Sequence, residues 1–243
     1  MIKLTKEDQL INHIRKLSKN NNSNLIKSIG DDAAVFHSFK KYVNLVTVDT
    51  LVESVHFLSN TSEKQLAHKA IAVNISDIAA MSGTPIYALI SLTISEKYSK
   101  KYIYKLTKEL SLTAEKYNVI IIGGDTVKGP CLSISVTMFG IAKESEIRYR
   151  HNAEVGDKIY VTGKLGGSFK SGKHLLFTPR INEAKWLRTN CKLNAMMDLS
   201  DGLIHDAQRM AIASNVTINF YSKAIPINSE CSVKNLLIRG YHS

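Results

Sequence analysis

Asn74-Ile75-Ser76-Asp77-Ile78-Ala79-Ala80-Met81-Ser82-Gly83-Thr84-Pro85 is the stretch whose reading orders the rest of the chain. It continues a helical spacing that opens at Ser62, with Leu66, Ala70, Val73, Asp77 and Met81 on one face. Gly83 and Pro85 stop that helix, and Ile86–Ile94 follows as a buried strand. Asp77 thus shares a face with apolar residues. A carboxylate placed there is costly unless it is paired or holds a cation.

Working outward, the same pattern of Asp beside small residues recurs. It appears in Gly30-Asp31-Asp32-Ala33-Ala34, Thr47-Val48-Asp49-Thr50, Gly123-Gly124-Asp125-Thr126 and Asp198-Leu199-Ser200-Asp201-Gly202. Any one of these alone reads as a turn or an N-cap. Together, several of them after an apolar run, they predict converging carboxylates with cations between them. All-oxygen ligands suit hard ions, above all Mg²⁺, which usually accompanies a phosphorylated substrate.

The remaining elements alternate in type. Thr5–Leu17 is a predicted helix with Thr5 and Asp8 as a capping box. Tyr42–Val48 is a strand delivering Asp49 at its end, and Ser99–Tyr117 is a helix with a Lys-rich outer face. Val119–Ile122 is a strand running into Gly123, and Leu132–Phe139 is another. This mixed order predicts an α+β class. A boundary near Arg150–Gly156 divides a domain of residues 1–150 from a smaller one of residues 151–243. In the second, Lys158–Thr162 reads as a strand and Gly163–Ser168 as a Gly-rich turn. Two helical stretches follow, then a helix through Ala213 and a strand at Val216–Phe220. Gly167–His174 almost spells a P-loop, but His174 stands where the Mg²⁺-holding hydroxyl belongs and Gly163–Gly166 separates it from its strand. It is expected to pack a helix or approach a phosphate instead.

Composition sets bounds. The 243 residues are 44% hydrophobic and 22% charged, ordinary for a globular protein. Ile86–Ile94 spans nine positions, against about 20 for a membrane helix, and Met1–Asp8 has no secretory h-region. Cys131, Cys191 and Cys231 lack metal-ligand spacing and read as reduced thiols in a cytoplasm. The net charge of +11 favours anionic partners, but no nucleic-acid motif accompanies it.

Ile29–Phe36, Thr47–Phe57, His68–Pro85, Ile122–Thr126, Val155–Gly163 and Met197–Gly202, taken in order, resemble the thiamine-monophosphate kinases of the aminoimidazole-ribonucleotide synthetase superfamily. The resemblance implies a two-domain α+β fold, a homodimer whose N-terminal sheets pair, and transfer of the γ-phosphoryl of ATP to thiamine monophosphate. It implies Mg²⁺ held by Asp31, Asp49, Asp77, Asp125, Asp198 and Asp201, with Thr47 adding an oxygen. Gly124, Asp125, Arg150 and Ser200 would face ATP, and His56 the thiamine substrate. Asp49, Asp125 and Arg150 would carry the transfer, Arg150 by its spacing from Gly156, with Arg148 as the competing arginine.

The chain departs from that pattern in places. Ser54 stands where a glycine is usual, and Thr107 near a nucleotide-stacking tyrosine for which Tyr104 is the nearest substitute. The family's Gly-Glu-Asp-Tyr-Glu-Leu segment is expected near Gly240, where this sequence stops instead. An incomplete second domain predicts exposed apolar surface and weaker substrate binding. The alternatives are a truncated, inactive remnant that keeps nucleotide and Mg²⁺, a nucleic-acid binder, and a selenophosphate synthetase. The last wants a reactive Cys before the first Gly-Asp-Asp, and this chain has none ahead of Cys131.

Overall fold

The structure, a computed structural model, describes residues 5–18 and 22–228. Six strands form one sheet: β1 (Leu25–Lys27), β2 (Ala34–His37), β3 (Tyr42–Val52), β4 (Thr84–Ile94), β5 (Ile120–Lys128) and β6 (Ser133–Lys143). Their order is β1-β2-β3-β6-β4-β5, with only β4 and β5 parallel. The helices are α1 (Lys6–Leu17), α2 (Glu63–Ala80), α3 (Lys100–Lys116), α4 (Lys173–Leu176), α5 (Ile181–Asn190) and α6 (Leu203–Ser214). The α+β class is as expected.

Local chemistry starts and stops these elements where the sequence indicates. Thr5 and Asp8 close a reciprocal capping box on α1. Ser62 accepts from the Gln65 N–H at the head of α2, and Gly83 takes the chain out of the helix into β4. The sheet is two-faced. Ile134, Val136, Met138 and Ala142 of β6 alternate inward with Val43, Leu45 and Leu51 of β3, and α2 covers them, with α3 packed against α2 and beside β5. The opposite face carries Val48, Tyr87 and Val127, which are 60%, 41% and 50% exposed. Among the described residues, no helix is long and apolar enough to cross a membrane.

Three strand expectations are corrected. β3 does not end at Val48. It pairs with β6 from Tyr42 to Val52, so Asp49 lies inside the strand. A run of alternating β-branched residues continues as long as its neighbour offers hydrogen bonds. Lys158–Thr162 and Val216–Phe220 are not strands, because no described strand lies beside them to pair with. β1 and β2 are too short to show a period in the sequence, yet they build the wall that carries Gly30–Ala34.

Candidate functional site

The seam between β3 and α2 is polar at one end. Thr47, 8% exposed, donates from Oγ1 to Asp77 Oδ2 at 2.6 Å. Asn74, fully buried, accepts from the Asp49 backbone N–H at 3.1 Å and donates to the Ala70 carbonyl at 3.0 Å. Asn74 and Asp77 lie three apart on α2, so one helix edge holds both the strand carrying Asp49 and a half-buried carboxylate.

Two other segments bring carboxylates to Asp77. Asp32 comes from the β1–β2 connection and Asp198 from the loop before α6. Carboxylate oxygens of Asp32, Asp77 and Asp198 lie within 4.8 Å of one another. Arg150 hydrogen-bonds Asp32, and its Nε is 3.4 Å from Asp31. Asp32 Oδ2 is buried and has no hydrogen-bond partner. Burial, then Asp198 and Asp49, holds the Asp77 carboxyl well above the usual range. Burial, then Asp32 and Asp49, does the same to Asp198. Burial pushes Asp32 up to about 6 against the opposing charge of Arg150. Burial, then Asp201, raises Asp49, with the Lys69 ammonium pulling the other way. Like charges at this separation repel by on the order of 3 kcal/mol per pair at an effective dielectric of about 20. An orphaned buried oxygen among crowded carboxylates is the donor set that a hard divalent cation fits.

The loop ahead of α6 is shaped by a residue that the motif reading passed over. Asp206, 1% exposed, accepts at Oδ2 from the backbone N–H groups of Ser200, Asp201 and Gly202 at 3.0–3.1 Å. Gly202 has φ 102°, a backbone that side chains disfavour. Arg209 binds Asp201 and Asp206 on one side and Asp8 of α1 on the other. Burial, then Asp198 and Asp201, pushes the Asp206 carboxyl up to about 7.

The other expected site residues lie apart from this group. Asp31, completely buried at its side chain, is ringed by Lys27, Arg150 and His151 at 3.4–3.7 Å. His56 accepts at Nδ1 from the Val52 N–H at 2.9 Å in the turn after β3. Ser54 in that turn has φ 66°, which accounts for a glycine being usual there. Ser200 is held by its N–H rather than its hydroxyl. Arg148 donates to the Ile147 carbonyl, away from the carboxylates, and Tyr104 is 72% exposed on α3.

Asp125 is the outlier. It is exposed on β5 and in register with Ser91, which aligns with Ser135 and so with Thr50 of β3. It therefore lies three strands, about 14 Å, from β3, on the sheet face away from α2. Gly124 beside it faces the β4 backbone, where a Cβ would stand 1.8 Å from the Ile90 carbonyl oxygen. Asp32, Asn74 and Asp206 are the site residues not assigned from sequence. Asp32 is visible in its Gly-Asp-Asp motif, whereas Asn74 and Asp206 show only as polar residues on otherwise apolar helix faces.

Residues 30–142 match the family model for the AIR synthase related protein, N-terminal domain. The thiamine-monophosphate kinase of Buchnera aphidicola subsp. Acyrthosiphon pisum is 36% identical over 97% of this chain and 77% of the relative. That of Bacillus subtilis is 34% identical over 83% of this chain and 69% of the relative. Among solved structures, AaThiL complexed with AMPPCP and TMP superposes with a TM-score of 0.81 at 29% identity, covering 95% of this chain and 78% of that one. A HypE–HypF complex shares the fold alone, with a TM-score of 0.73 at 19% identity.

Proposed function

The chain belongs to the thiamine-monophosphate kinase family, and we propose that it transfers the γ-phosphoryl group of ATP to thiamine monophosphate, giving thiamine diphosphate. The convergence of Asp32, Asp77 and Asp198 around an unpartnered carboxylate oxygen is the observation that carries this reading. Such a cluster is stable when cations neutralise it, and phosphoryl transfer is catalysed chiefly by positioning and charge neutralisation. When bound, Mg²⁺ neutralises charge on the transferring phosphates. Asp32, Asp49, Asp77 and Asp198 are the residues that would hold it, with Asp31, Thr47 and Asp201 beside them.

The acceptor oxygen belongs to a phosphate that is already anionic near neutral pH, so it needs no strong general base. The new P–O bond forms as the bond between the γ-phosphorus and the β–γ bridging oxygen breaks, and ADP leaves with that electron pair. Arg150 is tied to both Asp31 and Asp32 and supplies positive charge at the edge of the cluster. Gly124 and Ser200 would line the nucleotide, and His56 the thiamine substrate.

A homodimer accompanies this reading. The exposed face with Val48, Tyr87 and Val127 is what a second sheet would cover, and Asp125 lies on it. Its part in the site would then run through the paired copy. Residues 1–150 form the ATP- and metal-binding domain on this reading, and residues 151–243 belong to a second one. Cys131 and Cys191 are free thiols, which suits a cytoplasm. The match over nearly the whole chain favours the kinase over an inactive remnant.

The test is formation of thiamine diphosphate from thiamine monophosphate, ATP and Mg²⁺, with Asp49→Ala as control. Product that depends on Asp49 supports the reading. No product from the wild-type chain, whether or not Mg-ATP raises its melting temperature, counts against it.

A further inference from the structure

Lys69 lies in the middle of α2 and is only 2% exposed. A buried ammonium is costly, and within the described residues no carboxylate lies within ion-pair distance of it, Asp49 acting on it from farther off. Its Nζ instead donates to the His56 carbonyl at 2.9 Å and meets His174 Nδ1 at 3.2 Å. These two acceptors come from distant parts of the chain. His56 belongs to the turn after β3, and His174 lies in α4, at the end of the P-loop-like run.

The second partner is itself held in place. Phe169 stacks on His174 with ring centroids 4.9 Å apart and planes 22° apart. Ser171 ties back to the Gly167 carbonyl, and the Leu165 N–H donates to the Pro226 carbonyl. His68, next to Lys69, bonds the Phe177 carbonyl through Nε2 at 2.7 Å. The Gly-rich segment is thus docked on α2 by two adjacent basic residues, beside the strand that carries Asp49. Burial and the nearby Lys69 charge hold the His174 pKa down, which keeps the ring neutral and its Nδ1 free to accept a hydrogen bond from Lys69.

We propose that Lys69 is a positioning residue for the acceptor side of the site. Its ammonium joins the His56 turn to His174, so that the Gly163–Leu176 segment forms a wall against which the phosphorylated acceptor is held. This rests on the kinase reading for the identity of the acceptor, but the joining of the two segments does not. The near-P-loop motif then serves as an α2-docked wall rather than a nucleotide cradle.

The experiment varies thiamine monophosphate and ATP separately for wild type, Lys69→Met, His174→Leu, His174→Gln and the Lys69→Met/His174→Leu double variant. Both disruptive single variants should raise the KM for thiamine monophosphate about tenfold, while the KM for ATP stays within about twofold. The double variant should be no worse than the worse single, because one link is removed twice. His174→Gln, which keeps an acceptor for Lys69, should recover most of the loss. Parallel rises in both KM values, additive effects, or a fall in melting temperature alone would overturn the assignment. Amide exchange of residues 53–57 and 165–176 is measured on wild type and Lys69→Met as well. Faster exchange in both segments supports the link, and no change in either overturns it. Should the wild-type chain turn over no thiamine monophosphate, the kinase reading fails and the exchange data still decide the link.

Discussion

Asp77 and Asp125 look alike in the sequence, each beside small residues, yet the fold puts them in opposite surroundings. Asp77 sits on a buried helix edge, bonded to Thr47 and crowded by Asp32 and Asp198. Asp125 sits on an exposed edge strand, its carboxylate bonded to its neighbour's N–H at 2.8 Å. The first site crowds three carboxyl groups together inside one chain. The second has no such crowding and gains a role only if another surface comes to it. A carboxylate's power to bind metal therefore depends on what the fold refuses to give it: water and compensating donors.

Substitutions sharpen that contrast. The largest effect expected is on turnover. Asp77→Asn and Asp198→Asn should each lower kcat about 10²–10³-fold, read by thiamine diphosphate formation. Yet Asp77→Asn should raise the melting temperature of the metal-free protein by about 2–4 °C, because it removes a buried like charge. Asp125→Asn should leave that temperature unchanged. A destabilised Asp77→Asn would break the comparison, since it would mean that the carboxylate stabilises the fold without metal.

Next in size is the backbone beside Asp125. Gly124→Ala forces a Cβ against the Ile90 carbonyl and should cost about 1–3 kcal/mol by urea unfolding. Full stability in this variant would show that β5 does not lie against β4 as described.

Mg²⁺ should stabilise the wild-type chain by about 2.7 kcal/mol at 100 times its Kd. The shift should shrink in Asp77→Asn and persist in Asp125→Asn when each is assayed as a monomer. Equal shifts in both variants by differential scanning fluorimetry would put the metal elsewhere.

The smallest effect is with pH. Asp32 and Asp206 are raised to about 6 and about 7 from 3.8, so the folded state holds their protons more tightly than the unfolded one. Their contribution favours folding fully below pH 3.8 and is lost as the pH rises through about 6 and about 7. Metal-free wild type should therefore lose stability relative to Asp32→Asn as the pH rises from 3.8 to about 6 and level off above that, and Mg²⁺ should flatten the difference. A difference that grows in the opposite direction would contradict the burial of Asp32.

Much of this was legible in advance where a local rule and the final environment agree. The α1 capping box, the Ser62 cap and the Gly83 stop need only neighbouring residues, so the helices fall where expected. The strands were less legible, because a strand exists only with its partner. β3 runs past Asp49 since β6 accompanies it, and Lys158–Thr162 fails since no described strand lies beside it. Within the site, Asp32 rather than Asp31 reaches Asp77. Two consecutive residues point in different directions, and the basic ring of Lys27, Arg150 and His151 claims Asp31.

The sequence by itself determined the kinds of groups available: a set of aspartates beside small residues, a long apolar helix bearing one of them, and the family to which those motifs belong. Only the tertiary structure decided which carboxylates meet, that Asp206 shapes the loop before α6, that Asp125 faces away, and that Lys69 joins His56 to His174. The reason is range. Caps, breaks and periodicity act over a few residues along the chain. Electrostatic crowding and burial act between residues that are 45 to 166 positions apart, as Asp32 is from Asp77 and Asp198, and no local pattern records those distances.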